Sequence, residues 1–197
     1  MKLEGFNIFI PKNELEISKG RLLVSEPLSG DSFFSRSLVL ITEHNEKDGS
    51  IGYILNKPTS YRLNDVLGSN YDYNPVIGFG GPVQPETLHF IHTFGEKLPG
   101  SMQVFDDLYW SGDFEIIKMM AEQNQLNDNN IRFFLGYSGW APKQLNDELK
   151  KHYWLIEKAD TNFVISSRDK DSWKSLLQNK GSIYKSWLNV PKNPNLN

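Results

Sequence analysis

Short apolar and β-branched runs, separated by polar or glycine-containing loops, occupy the first two thirds of the chain. Two of them, Ser37–Glu43 and Ser50–Leu55, flank a loop containing Asp48-Gly49, a pattern typical of a β-hairpin. Other runs predict further strands, which are Arg21–Ser25, Val76–Phe79, Leu88–Thr93, Ser101–Phe105, Ile131–Tyr137, Trp154–Glu157 and Phe163–Ser166.

Helical periodicity appears in three segments, Asp113–Gln123, Pro142–Lys151 and Lys170–Asn179. Ser111 or Asp113 is placed to cap the first of these helices. Most strands follow one another without a helix between them, whereas parallel pairs need long crossovers. The pattern therefore predicts an α+β fold with a mainly antiparallel sheet.

Length and composition fit one globular domain. The 197 residues are 39% hydrophobic and 23% charged, which allows a single well-filled core. We expect one domain over residues 1–197, with loose ends at about 1–18 and 190–197, because the tail is rich in Pro and Asn.

Charge and residue usage exclude several classes of function. The net charge of −3 argues against a dedicated nucleic-acid binder, which needs a basic face. The chain has no cysteine, so a disulfide framework and thiolate chemistry are excluded. No apolar run has the length of a signal peptide core or a membrane helix, so we expect a cytoplasmic protein that does not contact a membrane.

Polar residues gather at both ends of the predicted hairpin. Glu43-His44-Asn45 at the turn end has the residue types of acid–base chemistry. Adjacent strand residues point to opposite faces, however, which favours ordinary polar residues at a strand end. At the other end, pairing of His44 with Gly49 would place Arg36 opposite Lys57. Like charges directly opposite each other repel, so a nearby carboxylate or a bound anion would be needed to neutralise them.

Arg36 and Lys57, with Ser35, Ser37 and Asn56, thus form a candidate anion-binding patch. Two solvated cations at a sheet edge are the alternative reading.

Two glycine-containing segments could also carry chemistry. Gly80-Gly81-Pro82 follows a strand and could approach a phosphate, although a tight turn is the better interpretation. Ser138 lies between a strand and a helix but lacks the glycine spacing of a nucleophile elbow. Tyr137 and Trp140 are expected to be packing residues, with ligand stacking as the alternative.

His89 and His92 would face opposite sides of a strand. The sequence therefore predicts no metal site, and it predicts no cofactor.

Five motifs in order resemble the AlgH/YqgE family, with matching spacing from about Gly20 to Trp187. They are Gly20–Pro27, Phe33–Asn45, Gly52–Pro58, Gly80–Val83 and Gly136–Leu145. The resemblance implies a cytoplasmic bacterial protein with a branched, partly barrel-like sheet surrounded by helices. It also brings the label of transcriptional regulator, which no DNA-binding motif in this chain supports. The resemblance supplies no catalytic residue.

The leading hypothesis is a regulatory module that binds an anionic small molecule or a protein partner, without direct nucleic-acid binding. The alternatives are a hydrolase or transferase acting on an anionic small molecule, and a scaffold marked by exposed Trp110, Trp140 or Trp187. The candidate ligand-binding residues are Arg36, Glu43, His44, Asn45, Asn56, Lys57, Gly80 and Gly81, with Tyr137, Trp140 and Gln144 as secondary candidates.

Overall fold

The computed structural model describes residues 13–27, 33–180 and 184–191, together with the backbone of 2–3 and 6–7. The strands within these ranges are β1 Lys2–Leu3, β2 Phe6–Asn7, β3 Arg21–Ser25, β4 Leu38–Asn45, β5 Gly49–Ile54, β6 Pro58–Arg62, β7 Val76–Phe79, β8 Val83–His92, β9 Met102–Phe105, β10 Leu108–Trp110, β11 Ile131–Trp140 and β12 Trp154–Lys158. The helices are α1 Leu63–Leu67, α2 Phe114–Glu122, α3 Gln144–Lys150, α4 Thr161–Ser166, α5 Ser172–Asn179 and α6 Lys185–Leu188.

Ten of the described strands form one branched sheet. Its main path runs β12-β3-β4-β5-β11-β8-β10-β9, and β7 and β6 branch from β11. The β7–β11 pair is parallel and every other described pair is antiparallel. The predicted α+β class is confirmed, and the sheet is not closed into a barrel.

Three hydrophobic cores lie against this sheet. The first joins one face of β3, β4 and β5 to α4, α5 and α6, with Trp173 and Trp187 each 1% exposed. The second lies between β7, β8, β11 and α2. The third joins the opposite face of β3 and β4 to α3. Helices therefore surround the sheet.

Strand β4 shows why its apolar run has no alternation. Leu38 and Leu40 belong to the first core, whereas Val39 and Ile41 belong to the third. A strand covered on both faces has no solvent-facing positions to fill with polar residues. Each such fully buried side chain stabilises the fold by about 1.5–3 kcal/mol.

The predicted hairpin is β4–β5, and its register contains a bulge. His44 pairs with Ser50 rather than with Gly49. The register shifts between Ile41 and Glu43, so that Leu40 faces Tyr53. Beyond the bulge, the pairing matches the one that the sequence predicted.

One predicted strand is wrong. Phe163–Ser166 lies in the helix α4, because the Asp160 side chain accepts a hydrogen bond from the Phe163 amide at 2.9 Å and caps the first turn. Val164 and Ile165 are buried in the first core. A short apolar run satisfies either structure, and the cap decides for the helix.

Several elements carried too little periodicity to be predicted. They are β6, β10, α1, α6 and the first half of β8. Strand β6 is exposed along almost its whole length, and β8 begins with Val83-Gln84-Pro85-Glu86, where no apolar alternation exists. Pairing with β7 and β11 holds these segments in the sheet.

Part of the predicted loose N-terminus is described. Asn13 accepts a hydrogen bond from the Ile156 amide at 2.6 Å and donates one to the Trp154 carbonyl at 3.1 Å. Leu15 and Ile17 pack on the third core. Of the loose ends predicted at about 1–18 and 190–197, residues 1–12, apart from the four backbone positions, and 192–197 lie outside the described residues. No helix in the described ranges is long and apolar enough to span a membrane.

The backbones of Gly80 and Gly136 approach each other more closely than any side chain would allow. A Cβ on Gly80 would lie 2.2 Å from the Gly136 carbonyl oxygen. Gly136 itself has φ of +66°, which glycine adopts without steric cost. This crossing joins the ends of β7 and β5 to β11, because the Gly80 carbonyl accepts from the Ile54 amide at 2.9 Å.

His92 is buried within the second half of β8. Its Nδ1 accepts from the Phe94 amide at 3.1 Å, so Nε2 carries the proton and donates to the Ser111 carbonyl at 2.9 Å. The ring stacks on Phe94 and Tyr109. His89 contacts Tyr53 and Tyr137 instead. The two histidines therefore serve different packing clusters.

Replacing Gly80 by alanine should destabilise the protein by at least about 3 kcal/mol, because the new Cβ would force the Gly80 backbone and the Gly136 carbonyl apart. Gly139→Ala on β11 is the matched control, since its Cβ would meet side chains only, the Tyr137 ring at 3.4 Å and Val83 at 3.7 Å, which are ordinary contact distances. Urea denaturation followed by circular dichroism measures both. Equal free energies of unfolding for the two variants would contradict the close approach of the Gly80 and Gly136 backbones.

Burial lowers the pKa of His92 below its ordinary value of 6.5. The unfolded chain therefore binds the proton first as the pH falls, so the stabilising contribution is complete above about pH 6.5 and is lost below it, by up to about 1.4 kcal/mol per pH unit. Urea denaturation between pH 7.5 and 5.5 should show this loss. His92→Gln should reduce it, while the exposed His152→Gln should retain it.

Candidate ligand-binding site

An open cavity of about 700 Å³ lies where the chain enters β4 and leaves β5. We call it the Arg36 cavity. The end of β7 and the turn before α5 complete its wall. Its lining residues are Phe33, Ser35, Arg36, Asn56, Lys57, Pro58, Phe79 and Lys170.

Asn56 fixes the backbone of Arg36 at the cavity wall. The Asn56 side chain is 1% exposed. Its Oδ1 accepts from the Leu38 amide at 2.9 Å, and its Nδ2 donates to the Arg36 carbonyl at 2.9 Å. The amide thus replaces the next rung of the β4–β5 ladder and holds Arg36 at φ of +53°.

The Arg36 guanidinium is half-buried against the C-terminal helices. Its Nη2 donates to the Val190 carbonyl at 2.5 Å, and its charge lies 5.1 Å from the centre of the Trp173 ring. Burial lowers the pKa of Arg36 below its ordinary value, and the group remains protonated at neutral pH. Among the described residues, Arg36 forms no ion pair with a carboxylate.

Two lysines bring further positive charge to the same cavity. Lys57 donates from Nζ to the Phe33 carbonyl at 2.5 Å, and Lys170 is exposed in the turn before α5. No carboxylate occurs among the lining residues that the structure describes. Three converging cations in a concave site favour an anionic ligand.

Aromatic rings supply an apolar wall beside these charges. Phe33 and Phe79 stack with centroids 5.8 Å apart and planes 28° apart. Phe33 remains 48% exposed although it lies at the cavity. A ligand with both an anionic group and an apolar part would therefore find complementary surfaces.

The structure separates Glu43, His44 and Asn45 from the Arg36 cavity. They lie at the turn end of the β4–β5 hairpin, where His44 Nδ1 contacts Ser50 Oγ at 2.8 Å. Asn45 Oδ1 accepts from the Lys47 amide at 2.8 Å and stabilises the turn. His44 lines a different cavity, with Leu15 and Lys150. These residues and the cations do not form one catalytic set.

Gly80 and Gly81 lie in the backbone crossing and not at the cavity surface. Both are buried, and the Gly80 carbonyl accepts a second bond from Ser138 Oγ at 3.0 Å. Ser138 is completely buried. These residues hold β7, β5 and β11 together, as expected of a tight turn.

The secondary candidates pack around Glu148 or in the first core. Glu148 Oε2 accepts from the indole of Trp140 at 2.9 Å and from that of Trp154 at 2.7 Å. Gln144 donates to the other carboxylate oxygen at 3.0 Å. Tyr137 contacts His89 edge-to-face. The interpretation of Tyr137 and Trp140 as packing residues agrees with these contacts.

Sequence reasoning named Arg36, Asn56 and Lys57 but missed Phe33, Phe79 and Lys170. Lys170 is 113 residues from Lys57 along the chain, and no local pattern connects the two. Phe33 and Phe79 read as ordinary core residues. Within the described part of the chain, no three His, Asp or Glu side chains lie close enough to hold a metal ion.

Asn56→Ala should cost about 3 kcal/mol of stability, because it leaves the Leu38 amide and the Arg36 carbonyl without partners in a buried place. Asn45→Ala, which removes an amide from an exposed turn, should cost less than about 1 kcal/mol. Chemical denaturation compares them. Equal costs would show that Asn56 does not fix this backbone.

Comparison with known proteins places the chain in a family. A model of the AlgH-like family matches residues 22–185. A UPF0301 protein of Cytophaga hutchinsonii is 40% identical over 182 residues, covering 92% of this chain and all of the relative. One from Bacteroides thetaiotaomicron is 39% identical over the full length of both chains.

Solved structures show the same fold. The solution structure of the AlgH protein from Pseudomonas aeruginosa is similar, with a TM-score of 0.69 and 25% identity, over 83% of this chain and 89% of that one. Protein DIP2367 from Corynebacterium diphtheriae gives a TM-score of 0.75 at 18% identity, over 94% of this chain and 99% of its own. With the family match over residues 22–185, these similarities show that the chain belongs to the AlgH-like family.

Proposed function

We propose that the protein is a regulatory module that binds an anionic small molecule in the Arg36 cavity. The observation that carries the proposal is the convergence of Arg36 and Lys57, which flank the β4–β5 hairpin, with the distant Lys170 on one cavity. Arg36 is half-buried, donates a hydrogen bond to a carbonyl and lies over an aromatic ring. An anion close to its guanidinium would stabilise its charge further.

The lining of the cavity also supports a particular class of ligand. Its charges suit a phosphate or carboxylate group, and the stacked rings of Phe33 and Phe79 suit a flat apolar part of the same molecule. Ser35 and Lys170 at the cavity wall provide further polar groups. An organic anion with a planar ring fits these features better than an inorganic ion does.

The two alternative functions find less support. A hydrolase or transferase would bring Glu43 or His44 to the cations, and His44 lines a separate cavity. A scaffold would expose tryptophans, but Trp140 is 5% and Trp187 1% exposed, and Trp110 is half-buried. A protein partner, a cytoplasmic location and the absence of direct nucleic-acid binding remain predictions from the sequence.

A thermal-shift screen of nucleotides, phosphorylated metabolites and aromatic carboxylates tests the proposal. A ligand at about a hundred times its dissociation constant adds about 2.7 kcal/mol, which raises Tm by roughly 5–10 °C for a chain of this length. Lys170→Gln should weaken a bound ligand by about tenfold, because it removes one charged contact.

Lys174→Gln is the matched control. It removes the same charge from an exposed position of α5, four residues away and outside the cavity lining. Lys57→Gln provides a second variant within the cavity. A ligand whose affinity falls equally in Lys170→Gln and Lys174→Gln would contradict binding at this cavity, as would a screen in which no anion raises Tm.

A further inference from the structure

A second cavity, of about 400 Å³, shares Pro58 with the Arg36 cavity as a lining residue. We call it the Arg132 cavity. The ends of β6, the segment before β7, the start of β11 and Arg168, two residues after α4, surround it. Its lining residues are Pro58, Arg62, Tyr73, Asn74, Pro75, Val76, Gly78, Asp128, Arg132, Phe133 and Arg168.

Arg132 is the unusual group in this cavity. Its side chain is only 3% exposed, although it carries a charge. Its Nη2 donates to the Leu55 carbonyl at 2.5 Å and its Nη1 to the Val164 carbonyl. The guanidinium also lies 5.0 Å from the centre of the Phe134 ring. Within the described ranges, no carboxylate pairs with it.

The neighbouring charges compensate Arg132 only in part. Asp128 is the carboxylate among the described lining residues, and it pairs with Arg168 at 2.9 Å while accepting from the Tyr73 hydroxyl at 2.9 Å. Arg62 donates to the Asn74 carbonyl at 2.8 Å and remains exposed. Three guanidiniums against one carboxylate leave the cavity with two positive charges.

Burial is the main cause that lowers the pKa of Arg132, to about 9, and the nearby charge of Arg168 adds to it. The group is therefore charged at neutral pH in an environment that disfavours charge. Neutral donors could hold the Leu55 and Val164 carbonyls at lower cost, since burying a charge without a counter-ion is expensive. A guanidinium has five N–H donors, and the two carbonyls occupy two of them.

We infer that the Arg132 cavity binds an oxyanion, the phosphate or carboxylate group of a small molecule, between Arg132 and Arg62. The anion supplies the negative charge that the described protein groups do not supply. The planar fork of a guanidinium matches two oxygens of either group. This inference does not depend on ligand binding in the Arg36 cavity.

Titration of the ¹⁵N-labelled protein with inorganic phosphate, against sodium chloride of equal ionic strength, tests the inference. We expect saturable shifts of the amides of Asn74, Val76, Gly78 and Phe133, which line the cavity. Acetate in a second titration separates the sources: shifts with phosphate alone indicate a phosphate group, and shifts with acetate alone indicate a carboxylate. Absence of shifts with both anions overturns the inference.

Two variants test the named arginines. Arg62→Gln removes an exposed charge and should weaken binding of the anion by about tenfold. Arg132→Lys keeps a cation but loses the fork, and should also weaken it if the variant folds. Lys170→Gln, in the Arg36 cavity, should leave the affinity within about twofold of the wild type.

If the Arg132→Lys variant does not fold, the affinity of the Arg62→Gln variant for the anion decides the test. Wild-type affinity in every folded variant of this cavity, or shifts confined to residues outside it, would show that Arg132 has a structural role only. Shifts of Phe79 and Asn56 report the Arg36 cavity separately, so failure of one site is distinguishable from failure of the other.

Discussion

The close approach of the Gly80 and Gly136 backbones allows one strand, β11, to pair with β5, β7 and β8. Through this crossing the Gly80 carbonyl accepts from the Ile54 amide, and the Phe79 amide donates to the Lys57 carbonyl at 2.7 Å. The end of β7 is thereby held against the end of β5. Because Lys57 and Phe79 belong to the Arg36 cavity, and Pro58 and Gly78 to the Arg132 cavity, both candidate sites depend on this contact.

The two cavities share one feature: each contains an arginine whose charge is partly or fully removed from water. Arg36 and Arg132 each donate to backbone carbonyls and lie over an aromatic ring, and neither pairs with a carboxylate among the described residues. Carbonyl dipoles and ring faces offset part of the desolvation cost of a cation. An anionic ligand would offset more of this cost, which is the basis of both proposed binding sites.

Local rules predicted the hairpin, most strands and three helices, since apolar runs and caps act between near neighbours. They were wrong at α4, where a short run, Phe163–Ser166, fits strand and helix equally well and the Asp160 cap decides. They predicted a common site for Arg36 and Lys57 because hairpin pairing is local. Lys170, Arg132 and Arg62 were missed, since their neighbours come from distant segments.

The sequence by itself determined the α+β class, the β4–β5 hairpin and the position of Arg36 and Lys57 at the same end of that hairpin, because periodicity and turn chemistry act within a few residues. Its motifs also indicated the family. Only the tertiary structure decided that β11 has three neighbours, that Glu43 and His44 lie apart from the cations, and that Arg132 is buried without a carboxylate among the described residues. These features come from contacts between segments tens of residues apart, which no local pattern encodes.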